Sequence, residues 1–192
     1  NTIMEMCYKL PNTNIDDVTN GLLLGSKRLI SGAYLRGGMG DGGGCHPRDN
    51  IALSWLAKEL NISNDFFDQI MQQREKQTDW LANLIIENQL DNKKTYILGK
   101  SFKPETNITT GSPSILLNNI LKEKGVSAIS YDPYVDTIKP VFDKGVYFIG
   151  TKHEVFEQFE FPSGSVVIDP FRIISKNKEG LKIIRIGDSK ED

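Results

Sequence analysis

The fold is set by residues 94–133, KTYILGKSFKPETNITTGSPSILLNNILKEKGVSAISYDP. The runs KTYILG at its start and SAISYDP at its end are rich in apolar and β-branched residues, which is typical of buried strands. Between them, SPSILLNNILKEKG predicts a helix that is capped by Ser112, has Pro113 at its first position and ends before Gly125. A strand, a helix and a second strand in this order predict a βαβ unit with parallel strands.

Three further runs of the strand type follow along the chain. They are VYFIG at 146–150, SVVIDP at 165–170 and LKIIRIG at 181–187, and a weaker helical segment at 152–160 lies between the first and the second. Strands that alternate with helices in this way predict a Rossmann-like parallel sheet. We therefore predict an α/β domain over residues 93–192.

The first 92 residues follow the helical period instead. Apolar residues at helical spacing predict one helix ending at Pro11, one over about 14–25, one after the glycine-rich stretch capped by Asp49 or Asn50, and one from Asp65 to about Leu90. The predicted architecture is thus α/β, with a central helical region at 1–92 followed by the Rossmann-like domain.

Composition excludes several classes of protein. The chain has 23 Lys and Arg against 25 Asp and Glu, so a net charge of −2 predicts neither nucleic-acid binding nor attraction to an anionic membrane. Its two cysteines, Cys7 and Cys45, lack the spacing of a disulfide framework or a zinc site, which favours a reducing cytoplasm and no metal. No stretch approaches the roughly 18 apolar residues of a membrane span. Because the chain begins at Asn1, we expect it to be a piece of a longer protein.

The stretch GGMGDGGGCHPRDN, which begins at Gly37, places six glycines in the eight positions before Cys45. Glycines allow the backbone to approach a ligand closely, so this stretch is suited to wrap a sugar or a phosphate. A helix that starts just downstream and the basic side chain of Arg48 would both favour the thiolate of Cys45. Cys45 is therefore the candidate nucleophile.

Other interpretations of this stretch stay open from the residues alone. The glycines could form a flexible linker, and Cys45 could be an inert buried thiol. Cys45 and His46 could form the pair of a cysteine hydrolase, although neighbouring side chains in an extended loop usually diverge. Cys45, His46 and Asp49 could bind a metal, but the sequence offers no fourth ligand. Asp49 could simply cap a helix.

A second candidate cluster follows the predicted strands of the α/β half. Ligands bind at the carboxyl ends of parallel strands, where Lys103 and the backbone of Phe102 follow the first strand and Arg172 follows VVIDPF. An arginine there could hold a phosphate or carboxylate through two hydrogen bonds, or lie on the surface. Gly99 alone is too little glycine for the usual dinucleotide fingerprint, so we predict nucleotide binding of another kind.

These motifs together resemble a known family. YLRGGMGDGGGCHPRD at 34–49 resembles the active-site segment of the UDP-glucose/GDP-mannose dehydrogenase family. ILGKSFKPETN at 97–107, the later YDP and the DPFR that ends in Arg172 are similar to the family's C-terminal nucleotide-sugar domain. The resemblance covers essentially the whole chain in the right order. Arg48 stands where the family usually has lysine, Asp41 where an aromatic residue is common, and Thr110 where many members carry an arginine.

The resemblance implies an oxidation in which the C6 alcohol of a nucleotide-bound sugar becomes a carboxylate at the expense of two NAD. By the same resemblance, Cys45 attacks the intermediate aldehyde as a thiohemiacetal, which is oxidised to a thioester and hydrolysed. Asp49 would transfer protons and activate water. NAD would be held mainly by an N-terminal domain that this chain lacks, so we expect the chain alone to be inactive.

The resemblance also implies which residues bind the ligands. The substrate-binding residues are expected to be Tyr34, Leu35, Arg36, Gly37, Gly38, Met39, Gly40, Asp41, Gly42, Phe102, Lys103 and Arg172. Contacts with the cofactor NAD are expected from Cys45, His46, Pro47 and Arg48.

We accordingly predict the central and C-terminal parts of a cytoplasmic dehydrogenase that oxidises a UDP-sugar of the UDP-glucose type. In the family the central helices pair two subunits, so a homodimer is expected. GDP-mannose or a UDP-N-acetyl sugar as substrate, a non-catalytic nucleotide-sugar-binding module and, more remotely, a cysteine hydrolase are the alternatives.

Overall fold

The computed structural model describes residues 1–25, 35–40 and 43–190. Its helices are α1 (Thr2–Lys9), α2 (Ile15–Leu23), α3 (Cys45–Glu59), α4 (Phe66–Glu87) and α5 (Pro113–Glu123). Its strands are β1 (Lys94–Leu98), β2 (Ala128–Tyr131), β3 (Gly145–Ile149), β4 (Val166–Asp169) and β5 (Lys182–Arg185), with a short 3₁₀ turn at Glu154–Phe156 before β4. The helical region followed by an α/β sheet confirms the predicted fold class.

The five strands form one sheet in the order β2-β1-β3-β4-β5, and every neighbouring pair is parallel. All five predicted runs are therefore strands. The chain leaves β1 for β2 on one side and returns to β3 on the other side of β1. Open sheets bind ligands in the crevice beyond the carboxyl ends of the strands where such a reversal occurs. This topology places the expected site beyond Leu98 and Ile149.

The two faces of the sheet are covered differently. Alternate residues such as Ile97, Phe148 and Ile168 face the helices, where Leu81 of α4 and Leu117 of α5 pack on them. This core also includes Met4, Cys7, Ile15 and Ile85, so the helical region and the sheet share one hydrophobic interior. The predicted domain boundary between residues 92 and 93 stays a prediction. In the described parts of the chain, residues on both sides of it belong to the same hydrophobic core.

Aromatic side chains cover the opposite face of the sheet. Tyr96 and Tyr147, on neighbouring strands, stack with ring centroids 4.6 Å apart, and Phe142 and Phe159 pack around them. The prediction of a helix at 152–160 is wrong, because this segment contains only a 3₁₀ turn at Glu154–Phe156. Phe156 and Phe159 of this segment pack directly on this face of the sheet, in the same hydrophobic cluster as Tyr96 and Tyr147.

One helix boundary also differs from expectation. We expected Asp49 or Asn50 to cap the third helix, but α3 begins at Cys45 with Gly44 as its N-cap residue. The side chain of Asn50 instead donates to the carbonyl oxygen of His46 at 2.8 Å, one turn back in the helix. Pro47 needs no N–H partner in the first turn, so the helix can start before it.

Within the described residues, no helix combines the length and the apolar composition needed to cross a bilayer.

Candidate functional site

The glycine segment, which here means the described residues 37–40 and 43–44, lies at the carboxyl edge of the sheet. A Cβ at Gly38 would lie 2.9 Å from the ring of Phe171, after β4. One at Gly43 would lie 2.7 Å from the ring of Phe102, after β1. Contacts under 3.0 Å essentially never occur for a real Cβ, so a side chain at either position would force the neighbouring ring to shift. The glycines thus serve close packing between the helical region and the strand ends.

Gly40 is held in the same way. It has a positive φ of +75°, and a Cβ there would lie 2.8 Å from Cβ of Pro113, at the start of α5. The side chain of Asn1 donates to the carbonyl oxygen of Gly40 at 2.9 Å and accepts from the backbone N–H of Gly38 at 3.2 Å. The segment is therefore an ordered part of the protein over residues 37–40. This packing argues against the flexible-linker interpretation there.

Arg172 is buried beneath the glycine segment. Its Nε and one terminal nitrogen donate to the two carboxylate oxygens of Asp16 in α2, at 2.8 and 2.9 Å. The remaining donors bond the carbonyl oxygens of Gly37, Pro170 and Ile186 at 3.1, 2.7 and 3.1 Å. The guanidinium thus ties α2, the glycine segment and the end of β4 together. Its predicted contact with a ligand stays a prediction and would require an exchange of at least one of these partners.

The backbone around Arg172 is unusual. Arg172 has a φ of +59°, which is uncommon for a residue with a side chain. The buried carboxylate of Asp169 stabilises this turn, since it accepts the backbone N–H groups of Phe171, Arg172 and Ile174 at 2.7 to 2.9 Å. Burial raises the pKa of Asp169 although these hydrogen bonds lower it. Asp169 of the DPFR motif is therefore the residue that fixes the position of Arg172.

A cavity of about 500 Å³ opens beside this turn. Its walls are the stretch from Arg36 to Gly40, the stretch from Phe171 to Ile173, residues of α2, and Lys152. Arg36 and Lys152 are exposed and bring two cationic groups to it. The volume lies in the range of small-molecule sites, and cations at its edge suit an anionic ligand. The described walls of this cavity include neither Cys45 nor Lys103.

Cys45 is the first residue of α3 and its thiol is exposed. The backbone just before it lies against the loop that follows β1, because Gly44 contacts Thr110 and Gly111. The thiol thus stands at a helix N-terminus, next to the carboxyl edge of the sheet. Cys7 is the opposite case, a buried cysteine within the hydrophobic core.

Two charged side chains stand next to Cys45. Arg48 donates through Nε to the Asp49 carboxylate at 2.8 Å, and both side chains are exposed. The hydrogen bond from Arg48 lowers the pKa of Asp49, so its carboxylate is ionised at neutral pH. Asp49, and to a smaller extent Cys45, raise the pKa of Arg48. His46 follows Cys45 within the same helical turn, where adjacent side chains do not face each other, which disfavours the hydrolase pair.

The remaining predicted residues divide into three groups. The exposed ammonium group of Lys103 lies 5.3 Å from the ring centroid of Phe102. The side chain of Met39 belongs to the hydrophobic core rather than to an open surface, and the carbonyl oxygen of Leu35 accepts from Thr19 at 3.1 Å. Tyr34, Asp41 and Gly42 lie outside the described residues. The proposed roles of all these residues stay predictions.

Sequence reasoning missed a buried polar cluster beside the site. Ser101, Asp132 and His153 follow β1, β2 and β3 respectively and are almost completely inaccessible to solvent. The signal was present, because polar residues that follow adjacent parallel strands meet at one edge of the sheet. Among the described residues no group of His, Cys, Asp and Glu could hold a metal ion.

The parallel sheet is open and contains a topological reversal, and the glycine segment at its carboxyl edge leads to an exposed thiol. These features define a Rossmann-like α/β protein with a site at the strand ends. Comparison with known proteins agrees with this class. Residues 1–76 match the model of the UDP-glucose/GDP-mannose dehydrogenase family, central domain. Over these 76 residues the chain is similar to the central domain of this family.

Individual relatives extend the match beyond the central domain. The chain is 29% identical over 148 residues to UDP-glucose 6-dehydrogenase of Rattus norvegicus, covering 74% of this chain and 29% of the relative. It is 27% identical over 135 residues to UDP-glucose 6-dehydrogenase TuaD of Bacillus subtilis, covering 69% and 29%. Its fold matches the structure of a UDP-glucose dehydrogenase from Pyrobaculum islandicum with a TM-score of 0.80, at 21% identity over 96% of this chain and 46% of that one. The matched regions thus span less than a third of these two curated relatives and about half of the solved structure.

Proposed function

We propose that this chain is the part of an NAD-dependent nucleotide-sugar 6-dehydrogenase that carries the catalytic thiol and the nucleotide-sugar site. The substrate is a UDP-sugar of the UDP-glucose type. The observation that carries the proposal is the position of Cys45, an exposed thiol at the N-terminus of α3 that directly follows the glycine segment at the strand ends. Similarity to UDP-glucose 6-dehydrogenases supports the choice of substrate.

The proposed chemistry uses the side chains around this thiol. The thiolate of Cys45 adds to the C6 aldehyde of the sugar and forms a carbon–sulfur bond; loss of a hydride from C6 then gives a thioester. Water hydrolyses the thioester, which releases the carboxylate and regenerates the thiol. The ionised carboxylate of Asp49 accepts the proton of the attacking water, and Arg48 holds that carboxylate in place.

NAD, when bound, would supply the hydride acceptor for the two oxidation steps. The first turn of α3 fits a contact with part of this cofactor, because Cys45, His46 and Arg48 are exposed there and Pro47 is partly so. We propose that these residues contribute to cofactor binding while most of it lies outside this chain. A cytoplasmic location is part of the same proposal.

The nucleotide sugar is proposed to bind across the strand ends. Arg36 and Lys152, at the cavity beside the glycine segment, offer cations for its phosphates. Lys103 and Phe102 would contact it from the loop after β1, together with the backbone of the glycine segment.

The central helices are proposed to pair two copies of the protein. Helix α3 and the start of α4 expose large apolar side chains, among them Ile51, Trp55, Leu60 and Phe66, each 59% or more exposed. Contiguous exposed apolar patches of this kind mark association surfaces. Light scattering tests this: a dimer that Trp55→Glu converts to a monomer would support it, and a native monomer would refute it.

The decisive experiment is protection of Cys45 from iodoacetamide. We expect UDP and UDP-glucose to slow alkylation of Cys45 in this chain, with the buried Cys7 as an internal control that stays unmodified. GDP-mannose and UDP-N-acetyl sugars in parallel distinguish the alternative substrates. In the full-length natural protein, UDP-glucose should yield two NADH per sugar, and Cys45→Ala should abolish the second oxidation. If no nucleotide sugar slows alkylation or binds in calorimetry, the proposal is wrong.

A further inference from the structure

The buried cluster of Ser101, Asp132 and His153 has no part in the chemistry proposed above. The hydroxyl of Ser101 lies 2.9 Å from Oδ2 of Asp132 and 3.0 Å from Nε2 of His153, and Nε2 lies 3.1 Å from the same carboxylate oxygen. Oδ2 also accepts the backbone N–H groups of Lys100 and Ser101, at 2.6 and 2.9 Å. This cluster joins the ends of three neighbouring strands.

His153 connects this cluster to the loop after β1. Its Nδ1 accepts the backbone N–H of Glu105 at 3.1 Å, so the ring hydrogen is on Nε2, which faces Asp132 and Ser101. Glu105 has a φ of +57°, which is uncommon for a residue with a side chain. The imidazole is completely buried, stacked on Tyr134 at 4.8 Å between ring centroids. His153, at the edge of the sheet, therefore hydrogen-bonds the loop at Glu105, where the backbone is strained.

The loop that His153 holds, residues 99–111, carries groups that reach the glycine segment. Phe102, three residues before Glu105, is in close contact with Gly43, and Gly111 at the loop's end packs on Gly44. The loop is closed by a hydrogen bond from the N–H of Phe102 to the carbonyl oxygen of Ile108 at 3.0 Å. A change at Glu105 would therefore move Phe102 and Lys103 relative to the backbone that precedes Cys45.

We propose that His153 is a positioning residue that sets the loop 99–111, and with it Phe102 and Lys103, against the glycine segment through its hydrogen bond to Glu105. Its effect on ligand binding rests on the proposed function. Asp132 and Ser101 orient the imidazole, because the hydrogen bonds on Nε2 leave Nδ1 free to accept. The bond to Glu105 is the link between the sheet edge and the ligand-binding loop.

Three substitutions of His153 distinguish the roles of its two ring nitrogens. His153→Asn places an amide oxygen near the position of Nδ1 and can still accept from Glu105. His153→Gln places its amide near Nε2 and leaves the N–H of Glu105 without an acceptor. His153→Phe keeps a ring against Tyr134 and removes both nitrogens. If the phenylalanine variant fails to fold, the comparison of Asn with Gln decides the matter.

The first measurement is amide hydrogen exchange in this chain without ligand. We expect exchange at Glu105 and through 102–108 to rise about tenfold or more in His153→Gln and His153→Phe, and to stay near native in His153→Asn. Amides of β3 serve as the control for global stability. Equal exchange at Glu105 in all variants, or an equal rise at Glu105 and in β3, would overturn the proposal.

The second measurement is binding of UDP by calorimetry. We expect about tenfold weaker binding in His153→Gln than in His153→Asn, which corresponds to about 1.4 kcal/mol. If the native chain binds no UDP, the proposed function fails, while the exchange experiment still decides whether His153 positions the loop. If UDP binds equally well to both variants, the loop does not transmit the effect of His153 to the site.

Discussion

The ion pair between Asp16 and Arg172 gives the sharpest prediction for stability. Asp16 lies in the first turn of α2 and its carboxylate accepts two hydrogen bonds from the guanidinium, at 2.8 and 2.9 Å. The side chain of Arg172 is 3% exposed and that of Asp16 is 47% exposed. Asp16→Asn keeps the shape of the side chain but leaves a buried cation without its counter-charge and turns an amide N–H₂ toward an N–H donor.

The magnitude follows from this geometry. Removing one partner of a fully buried ion pair costs roughly 3–5 kcal/mol. Because half of the Asp16 side chain is exposed, solvent screens its charge, and we take about 2 kcal/mol as the loss in the free energy of unfolding. For a chain of this length, that lowers the melting temperature by about 4–8 °C.

The pH dependence has a definite sign. The hydrogen bond from Arg172 lowers the pKa of Asp16 below its usual value of 3.8. A carboxyl whose pKa is lowered by folding stabilises the protein above its unfolded pKa and loses that contribution as the pH falls through the folded value. The difference in unfolding free energy between the native protein and Asp16→Asn should therefore narrow below about pH 4.

The neighbouring Asp17→Asn is the matched control. Asp17 also lies in the first turn of α2, but it pairs with Lys190 at the surface, where both side chains are about half exposed or more. Exposed ion pairs contribute roughly 0–1 kcal/mol. Urea denaturation followed by circular dichroism measures both variants. If Asp16→Asn is no more destabilising than Asp17→Asn, Asp16 does not hold Arg172 beneath the glycine segment.

Three more predictions concern single side chains. Burial raises the pKa of Asp132, but its hydrogen bonds lower it to about 2, so its stabilising effect should be present above about pH 4 and fade toward pH 2. Denaturation at several pH values should show the advantage of the native protein over Asp132→Asn shrinking by about 2 kcal/mol across that range. Gly43→Ala should lower the free energy of unfolding by about 2 kcal/mol or more, because Gly43 has a φ of +102° and a Cβ there would lie 2.7 Å from the ring of Phe102. Gly21→Ala in α2 should raise the free energy of unfolding by roughly 0.5 kcal/mol, because nothing lies within 4 Å of the added Cβ. The buried hydroxyl of Ser114 has no hydrogen-bond partner among the described residues, so Ser114→Ala should leave the melting temperature unchanged or raise it.

Much of the site could be located from the sequence, because parallel strands bring the residues after them to one edge. The positions of Phe102, Lys103 and Arg172 followed from that rule, and all three lie in segments that follow β1 or β4. The rule gives the edge but not the partner. It did not show that the guanidinium of Arg172 is fully occupied by Asp16 and by carbonyl oxygens of the chain itself.

The sequence by itself determined the five parallel strands and helix α5 with its Ser112 cap, because each depends on side chains only a few residues apart. Tertiary structure alone decided the pairing of Asp16 with Arg172, 156 positions away, and the meeting of Ser101, Asp132 and His153. The same holds for the glycines, whose need for close packing depends on Phe171, Pro113 and Phe102 from distant parts of the chain. Short stretches of sequence determine local hydrogen bonding and the hydrophobic period, whereas the partner of a buried side chain depends on how whole helices and strands pack.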